Sequence, residues 1–471
     1  MLNGVTAELE TTLRAALPDQ TFRATDAKYL EEPRGRWAGQ GGLVLAPATT
    51  ADVSTILRHA HAARVPVVPY GGGTGLVGGQ VQAEGATPII LTLERMTAIR
   101  DVYPSENVMV VEAGAILANV QETAAGHDRL FALSLASEGS ARIGGLLSTN
   151  AGGINVLRYG NARDQVLGLE VVLPDGTIWN GLSRLRKDNT GYDLRNLMIG
   201  AEGTLGVITA AALKLHPRPH DETAAFFVTQ SPATALELLS LAGKHFGNSV
   251  SAFELISKQG LEFLAATLPD VRRPFSENPD WCVLMDVGVM GDQFANDQIE
   301  AFFVAAAERG LVTDGQIAQS QSQRAEFWAV RENIPEGNRR IGSISSHDIS
   351  VPLSVIPEFI ARGNAAIAKV GDFRINCFGH MGDGNLHYNV FPQDGFSRDD
   401  YLSERDEIKR VVHDLVHKLG GSVSAEHGIG RLKVDDLERY GDPAKLAAMR
   451  AIKTALDPNG IMNPGAVLRV V

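Results

Sequence analysis

Cysteine is scarce in this chain of 471 residues, which contains only Cys282 and Cys377, each within an apolar run. Two thiols provide no disulfide framework, so a reducing compartment is indicated. The N-terminal residues are polar and acidic, without the apolar core of a leader, and no apolar stretch reaches membrane-spanning length. These absences predict a cytoplasmic protein without a transmembrane segment.

Basic residues are also in deficit, because 43 Lys and Arg face 55 Asp and Glu, a net charge of −12. No basic stripe that could follow a phosphate backbone is visible, which argues against nucleic-acid binding. The same charge disfavours docking on an anionic membrane. With 44% hydrophobic residues and this length, the chain predicts a globular protein of two or three lobes.

Glycine, by contrast, is abundant at 49 residues and is clustered. The richest cluster, 67–79, has the sequence VVPYGGGTGLVGG and follows a short apolar run. A glycine loop can turn successive backbone N–H groups inward and form an anion nest, for which diphosphate is the usual ligand. A flexible surface loop is the alternative, but it would not need an apolar strand leading into it.

This cluster also imitates the dinucleotide fingerprint, since Gly73, Gly75 and Gly78 have its spacing and Glu94 lies near that of the ribose-binding acid. The fingerprint requires the last glycine to open a helix. Here Pro88 leaves no room for a helix, and the next element is a predicted strand at 89–93. A Rossmann nicotinamide site is therefore disfavoured, and a diphosphate loop of another fold is predicted.

The remaining pattern is mixed. Apolar spacing predicts helices beginning at Thr50 and covering 119–125 and 408–419, and strands at 108–112, 224–228, 281–289 and 344–351. A boundary is expected near Pro219. The helix at 408–419 carries His413 and His417 in a metalloprotease-like spacing, but an Asp replaces the general-base Glu, so a solvated helix face is the preferred interpretation.

The most specific chemical signal is GHMGDGNLHYN at 379–389. Its glycines forbid a helix, which places His380 in a turn, whereas alternation over 386–390 puts His387 and Asn389 on one face of a strand. Glu426 and His427 precede Gly428 and Gly430, which permit a bend that could aim both side chains inward. Two imidazoles and a carboxylate are a common catalytic metal set, and hydrogen-bonded core histidines are the alternative.

Together these segments resemble the flavoprotein superfamily of vanillyl-alcohol oxidase and p-cresol methylhydroxylase, in its D-lactate, D-2-hydroxyglutarate and glycolate dehydrogenase branch. The resemblance covers nearly the whole chain. It implies an α+β fold: a two-lobed FAD-binding domain over 1–220, split near 108, and an inserted antiparallel-sheet substrate (cap) domain over 221–440 that carries the metal site. Residues 441–471 would return to the FAD domain.

The resemblance also implies the cofactor site. Residues 69–79 contain no His or Cys, so FAD is expected without a covalent bond to this loop. The residues carried over to FAD are Pro69, Gly71, Gly72, Gly73, Thr74, Gly75, Leu76, Gly78, Glu138, Gly139, Gly144, Gly145, Asn150, Gly152, Gly153, Tyr159, Gly160, Glu202, Gly203, Gly206, Val207, Ile208 and Asn463.

For the chemistry, the resemblance implies that His380, His387 and Glu426 hold a divalent metal, usually zinc. His427 would be the general base, Arg331 would pair with the substrate carboxylate, and Asn389 would touch the substrate. The implied reaction is oxidation of a D-2-hydroxy acid to the 2-oxo acid by hydride transfer to flavin N5. A quinone or an electron-transfer flavoprotein would accept the electrons, and a homodimer is one expected assembly.

Two departures concern the substrate. Ser346 stands where 2-hydroxyglutarate enzymes often have Lys, and Pro335 stands where Thr is expected. Arg339 or Arg340 could supply the missing cation. Two other functions remain open: a metal hydrolase that uses the same His, His and Glu residues, and an electron-relay flavoprotein subunit without turnover of its own.

Overall fold

The computed structural model describes residues 1–470, and the chain forms two compact units. The first unit comprises Met1–Gly153, Gly160–Arg218 and residues from Glu426 onward, and the second comprises Ile154–Tyr159 and Pro219–Ala425. Residues 426–440 are thus grouped with the first unit, whereas the substrate domain was predicted over 221–440. The assignment of functions to domains stays a prediction.

The first unit contains two sheets and one short pair of strands. Its first sheet has the order β1-β2-β4-β3, in which β4 runs parallel to both β2 and β3. The bounds are β1 Phe22–Arg23, β2 Leu43–Leu45, β3 Val67–Tyr70 and β4 Ile89–Thr92. No helix lies between β3 and β4, which confirms that the glycine spacing does not mark a Rossmann turn.

The second sheet of this unit is antiparallel, with the order β5-β6-β10-β8-β9. Its central strands β8 and β10 are apolar along almost their whole length and buried, as both faces of a covered sheet require. The bounds are β5 Ile99–Tyr103, β6 Val108–Glu112, β8 Val166–Val172, β9 Ile178–Gly181 and β10 Val207–Lys214. The separate pair consists of β7 Arg129–Leu130 and β11 His216–Pro217.

The end of the chain belongs to the core of the first unit. Ile461 and Met462 are completely buried there. The Val67 N–H donates to the Ile461 carbonyl and the Asn463 N–H donates to the Val67 carbonyl, both at 2.8 Å, in a parallel bridge beside β3. The last segment therefore completes the sheet from which the glycine loop departs.

The second unit is built on one antiparallel sheet of seven strands, in the order β15-β12-β14-β13-β17-β18-β16. Aromatic side chains such as Phe226 and Phe327 pack edge to face in its core, with ring centroids 5.3 Å apart. The bounds are β12 Asp221–Thr229, β13 Val250–Ser257, β14 Trp281–Val289, β15 Asp314–Ile317, β16 Ser345–Ser350, β17 Arg374–His380 and β18 Asn385–Phe391. The predicted α+β class with an antiparallel inserted sheet is confirmed.

Some helices begin where a side-chain cap satisfies one of their first N–H groups. Thr49 caps the helix predicted from Thr50 by accepting from Asp52 N, and Ser320 caps the longest helix by accepting from Gln323 N. The first unit contains α1 Ala7–Ala16, α2 Thr50–Ala63, α3 Leu117–Gly126, α4 Ile143–Ser148, α6 Leu194–Met198, α13 Val434–Tyr440 and α14 Pro443–Leu456. The second contains α5 Val156–Tyr159, α7 Pro232–Phe246, α8 Lys258–Thr267, α9 Ala295–Glu308, α10 Gln321–Ile341, α11 Ile356–Ile367 and α12 Arg405–Lys418.

Candidate active site

The glycine segment that follows β3 forms part of a cleft within the first unit. The cleft has an empty volume of about 960 Å³, its open mouth included. Residues of 141–149 and 202–208 complete the lining, together with His427. One continuous depression thus brings together three glycine-rich segments that are far apart in the sequence.

Close backbone approach explains why glycine is needed here. A Cβ atom on Gly71 would lie 3.2 Å from the Cα of Gly145, and one on Gly72 would lie only 2.2 Å from the carbonyl oxygen of Ser140. The loop therefore packs main chain against main chain, and a larger residue would displace one wall of the cleft.

The predicted cofactor residues divide into two groups. Those that line the cleft are Pro69, Gly71, Gly72, Gly73, Thr74, Gly75, Gly144, Gly145, Glu202, Gly203, Gly206, Val207 and Ile208. Those outside its lining are Leu76, Gly78, Glu138, Gly139, Asn150, Gly152, Gly153, Tyr159, Gly160 and Asn463. Contact of either group with a cofactor stays a prediction.

Several residues of the second group shape the loops around the cleft. The Glu138 carboxylate accepts from the Ser134 hydroxyl at 2.5 Å and from the Gln121 amide at 3.1 Å. Asn150, whose φ is +50°, accepts from the backbone N–H of Arg163 at 2.9 Å. These polar side chains fix turns that the backbone alone would not hold.

Asn463 connects the last segment to the glycine loop. Its buried amide donates to the carbonyls of Gly79 and Glu202 at 2.9 and 2.8 Å, and its side-chain oxygen accepts from Arg431 at 2.9 Å. Arg431 also donates to the Gly78 carbonyl at 2.9 Å. Burial lowers the pKa of Arg431 to about 10, so the guanidinium remains charged near neutral pH.

Glu202 lies beside the predicted base in this lining. Its two carboxylate oxygens accept from the N–H groups of Ile429 and Gly430, each at 2.7 Å. Burial raises the pKa of the Glu202 carboxyl, although these backbone N–H groups act in the opposite direction. Gly430 adopts a positive φ of +50°, so the bend expected after His427 is present.

Sequence reasoning missed other lining residues, among them Tyr70, Gln80 and Arg142. The Gln80 amide donates to the Gly75 carbonyl at 2.8 Å and stabilises the loop from behind. Arg142 contributes a guanidinium to the cleft and donates to the Gly114 carbonyl. A lone arginine or glutamine has no spacing signature, so only the fold reveals these roles.

In the second unit, the two predicted metal-binding histidines lie on neighbouring strands. His380 is the last residue of β17 and His387 lies within β18, with ring centroids 5.8 Å apart. The placement of His380 in a turn was wrong, because the strand continues through Gly379 and the turn begins after it. One ring nitrogen of His380 and one of His387 lie within 4.8 Å of each other, and Glu426, which belongs to the first unit, stays a prediction as the third ligand.

A buried carboxylate that the sequence did not reveal joins His380 to Arg331. Glu254 Oε1 accepts from His380 Nδ1 at 2.6 Å, and Oε2 accepts from Arg331 Nε at 2.6 Å. Burial alone would raise the pKa of Glu254, but the interactions with His380 and Arg331 outweigh it and lower the pKa to about 2. Arg331 Nη2 lies 3.4 Å from His380 Nε2, and the guanidinium covers the Phe378 ring at 4.8 Å.

The other predicted substrate residues have different surroundings. Asn389 is buried, and its Oδ1 accepts from the His347 N–H at 3.2 Å. Ser346 is exposed, with its hydroxyl 2.7 Å from that of Ser343. Pro335 lies inside α10 and has no N–H to donate to the Arg331 carbonyl.

The two arginines suggested as replacement cations are each paired with a carboxylate. Arg339 and Arg340 both bind the carboxylate of Glu336 one turn earlier, at 2.7 and 2.8 Å. Arg340 also donates to the Thr267 carbonyl at 2.7 Å. These pairs lie on the solvent-facing side of α10, and contact of either arginine with a substrate stays a prediction.

His413 was also wrongly interpreted as solvated. Its side chain is buried, and its Nε2 lies 3.2 Å from Nδ1 of His347 on β16. His417 is exposed, as predicted. The histidine spacing along α12 therefore reflects one residue that packs on the sheet and one that faces water.

The fold and the glycine cleft define an FAD-binding oxidoreductase, and comparisons with known proteins agree. Residues 42–181 match the FAD binding domain, and residues 218–467 match the C-terminal domain of FAD linked oxidases. The solved structure of p-cresol methylhydroxylase superposes with a TM-score of 0.75 at 16% identity, covering 99% of both chains. At that identity the likeness shows the fold.

Sequence relatives define the family more narrowly. D-2-hydroxyglutarate dehydrogenases from Bos taurus, Arabidopsis thaliana and Xanthomonas citri pv. viticola are 37%, 36% and 36% identical to the chain. These alignments cover 94%, 94% and 96% of this chain and 80%, 78% and 95% of the relatives. The chain belongs to the FAD linked oxidases, and it is an FAD-dependent 2-hydroxyacid dehydrogenase. This assignment speaks against the metal-hydrolase alternative.

The predicted cytoplasmic location is wrong by the same comparison, because the relatives from Bos taurus and Arabidopsis thaliana are named as mitochondrial proteins. Scarce cysteine indicates a reducing environment only, and that condition does not single out one compartment. Within residues 1–470, every helix is either too short or too polar to serve as a membrane span.

Proposed function

We propose that this dehydrogenase oxidises a D-2-hydroxy acid to the 2-oxo acid with the help of a divalent metal held by His380, His387 and Glu426. The observation that carries the proposal is the position of Arg331, whose Nη2 lies 3.4 Å from Nε2 of His380. A guanidinium fork suits a carboxylate, and a metal on the adjacent imidazole suits the neighbouring hydroxyl. A 2-hydroxycarboxylate carries these two groups on adjacent carbon atoms.

The glycine cleft fits FAD. A Cβ at Gly71 or Gly72 would come too close to the facing backbone, so this side of the cleft consists of main chain, which suits a diphosphate. Arg142 also lines the cleft and carries a positive charge. The glycine segments that line the cleft would hold the cofactor without a covalent bond, and Asn463 would hold the loop in place. Bound FAD supplies the group that accepts the hydride.

The metal set fits zinc in its donor types, two imidazoles and one carboxylate. A divalent ion held there would supply a Lewis acid that lowers the pKa of the substrate hydroxyl. Nδ1 of His380 is bound to Glu254, so a metal would bind this ring through Nε2, which faces Arg331 Nη2 at 3.4 Å.

The remaining steps belong to side chains. Arg331 binds and orients the substrate carboxylate, and its own orientation is fixed through its Nε bond to Glu254. His427 accepts the hydroxyl proton as general base. Asn389 contacts the substrate through its amide, whose oxygen is already bound to the strand β16 backbone.

Two substrates compete. The named relatives point to D-2-hydroxyglutarate. D-Lactate is favoured by Ser346 and Pro335, since Ser346 offers no positive charge to a second carboxylate, and Arg339 and Arg340 are bound to Glu336.

An anaerobic panel of D- and L-2-hydroxy acids, followed by loss of the flavin absorbance band, tests this function. We expect D-2-hydroxyglutarate or D-lactate to bleach the flavin and their L-enantiomers to leave it oxidised. A yellow protein that none of these acids bleaches would favour the electron-relay alternative. Mixing the reduced protein with a quinone or an electron-transfer flavoprotein then identifies which of these proposed acceptors takes the electrons.

A further inference from the structure

Glu254 is unusual because it is a carboxylate in the middle of a core strand. It lies on β13, where Leu255 and Ile256 are apolar and completely buried, and only 1% of Glu254 itself is exposed. Placing a carboxylate there is costly unless both oxygens are bound. The strand register sets Glu254 directly opposite His380 on β17, which explains why it reaches that ring.

Both oxygens of Glu254 accept hydrogen bonds from residues of the candidate site. Oε1 is 2.6 Å from His380 Nδ1, and Oε2 is 2.6 Å from Arg331 Nε. An ionised carboxylate only accepts, so its bond to Nδ1 requires the proton of His380 on that nitrogen. The lone pair of a neutral ring then lies on Nε2, which is the form that binds a metal.

The second oxygen acts on Arg331 in the same way. Because Arg331 Nε is bound to Glu254, the guanidinium plane is fixed. Its Nη2 then lies 3.4 Å from His380 Nε2. Glu254 thereby aligns both His380, which would bind the metal, and Arg331, which would bind the substrate carboxylate.

We propose that Glu254 is a positioning residue that sets the ring tautomer of His380 for the metal and the orientation of Arg331 for the substrate carboxylate. This inference rests on the metal site of the proposed function. Its alternative is that Glu254 only neutralises buried charge.

The neighbouring strand offers a matched control. Asp286 on β14 is also 1% exposed and also binds an arginine of α10, since it accepts from Arg324 Nε and Nη2 at 2.8 and 3.0 Å. Its third partner is Trp328 Nε1 at 2.7 Å rather than a histidine. Asp286→Asn therefore removes a buried carboxylate from the same sheet and helix without touching a metal-binding ring.

The test compares Glu254→Gln with Asp286→Asn in the full-length, FAD-loaded protein stripped of metal and titrated with Co²⁺, whose visible absorption reports ligand binding. In Glu254→Gln the new amide can donate to Nδ1 and drive the ring proton to Nε2. We expect a 10- to 100-fold loss of Co²⁺ affinity for Glu254→Gln and a change below about threefold for Asp286→Asn. If wild type and Glu254→Gln bind Co²⁺ with equal affinity, and the melting temperature falls as in Asp286→Asn, the inference is wrong. Glu254 would then only neutralise buried charge.

A second measurement needs no variant of Glu254. The ¹⁵N shifts of His380 in the metal-free wild type, assigned by comparison with His380→Asn, should show the proton on Nδ1, and a proton on Nε2 would overturn the inference. If wild type takes up no Co²⁺ at all, the metal part of the proposed function fails at that earlier step. The two failures are therefore distinguishable.

Discussion

The guanidinium of Arg431 donates to the side-chain oxygen of Asn463 at 2.9 Å and, at the same distance, to the carbonyl of Gly78. It thus links the last segment of the chain to the glycine loop. The nitrogen that binds the Gly78 carbonyl, Nη1, also donates to the Gly79 carbonyl at 3.2 Å. This partly buried cation therefore holds the glycine loop against the last segment of the chain.

Replacing Arg431 should therefore loosen the cofactor loop. Arg431→Met removes charge-assisted bonds to several carbonyls, and we expect a loss of about 3 kcal/mol in the free energy of unfolding, together with weaker FAD retention. Thermal unfolding and FAD release on dilution measure the two effects. Arg469→Met, which removes only an exposed pair with Asp435, is the control and should behave as wild type.

Gly72→Ala should destroy the cleft wall. The added Cβ would lie 2.2 Å from the Ser140 carbonyl oxygen, closer than any real contact, so the backbone must move. We expect a folded but colourless protein, read from the ratio of flavin to protein absorbance. Gly126→Ala at the end of α3, where a Cβ meets nothing within 4 Å, should remain yellow, and a yellow Gly72→Ala would show that the loop is not at the flavin.

Glu170 predicts an acid dependence of stability. Burial raises its pKa, but hydrogen bonds from Arg100, Thr50 and Thr209 outweigh it and leave the pKa below its usual range. A lowered folded-state pKa contributes stability above the unfolded-state pKa, and this is lost as the pH falls through the folded value. The free energy of unfolding of the wild type, measured by urea denaturation, should therefore fall on acidification below about pH 4.5.

Glu170→Gln should flatten that dependence while lowering stability near neutral pH. Glu8→Gln, at an exposed carboxylate of α1, serves as its control and should retain the wild-type slope. An unchanged slope in Glu170→Gln would assign the acid sensitivity to other groups.

His427→Ala should lower turnover while leaving the bound flavin in place. As the proposed general base, His427 contributes a rate factor of roughly 10² to 10⁴, so we expect turnover to fall by that amount. The flavin absorbance should persist, because the loop is held by other residues. Near-wild-type turnover of the variant in a steady-state assay with D-2-hydroxyglutarate or D-lactate would exclude this role.

Removing the metal should stop flavin reduction without releasing the flavin. Prolonged chelation or His387→Ala should abolish bleaching by the substrate, and zinc added back should restore it in the chelated wild type only. His417→Ala changes an exposed histidine of α12 and is the matched control. Full activity after chelation, with metal content verified by mass spectrometry, would contradict the metal requirement.

The parts of the site that were predictable carry local patterns. The glycine run at 71–79 and the strand alternation around His387 depend on near neighbours in sequence, and both appear as expected. Glu254 could not be found this way, because its partners His380 and Arg331 are distant in sequence and reach it only through strand pairing and helix packing. Its strand simply shows the apolar pattern of a core.

The errors have the same origin. His413 flanks the apolar stripe of α12, and no periodicity states how wide the buried face of a helix is until its partner strand is known. Glu336 precedes Arg339 and Arg340 at helical spacing and binds both, whereas their suggested role as substrate cations stays a prediction. A carboxylate three or four residues away on the same helix competes with a substrate for the guanidinium group.

The parallel bridge between Val67 and Met462 has a consequence for biosynthesis. The strand that carries the glycine loop gains its outer neighbour only when residues 461–463 have left the ribosome. Residues 219–425, by contrast, are complete well before that moment. Nascent chains should therefore acquire their flavin only once residues 461–463 have emerged, and chains stalled or truncated before them should accumulate as colourless intermediates.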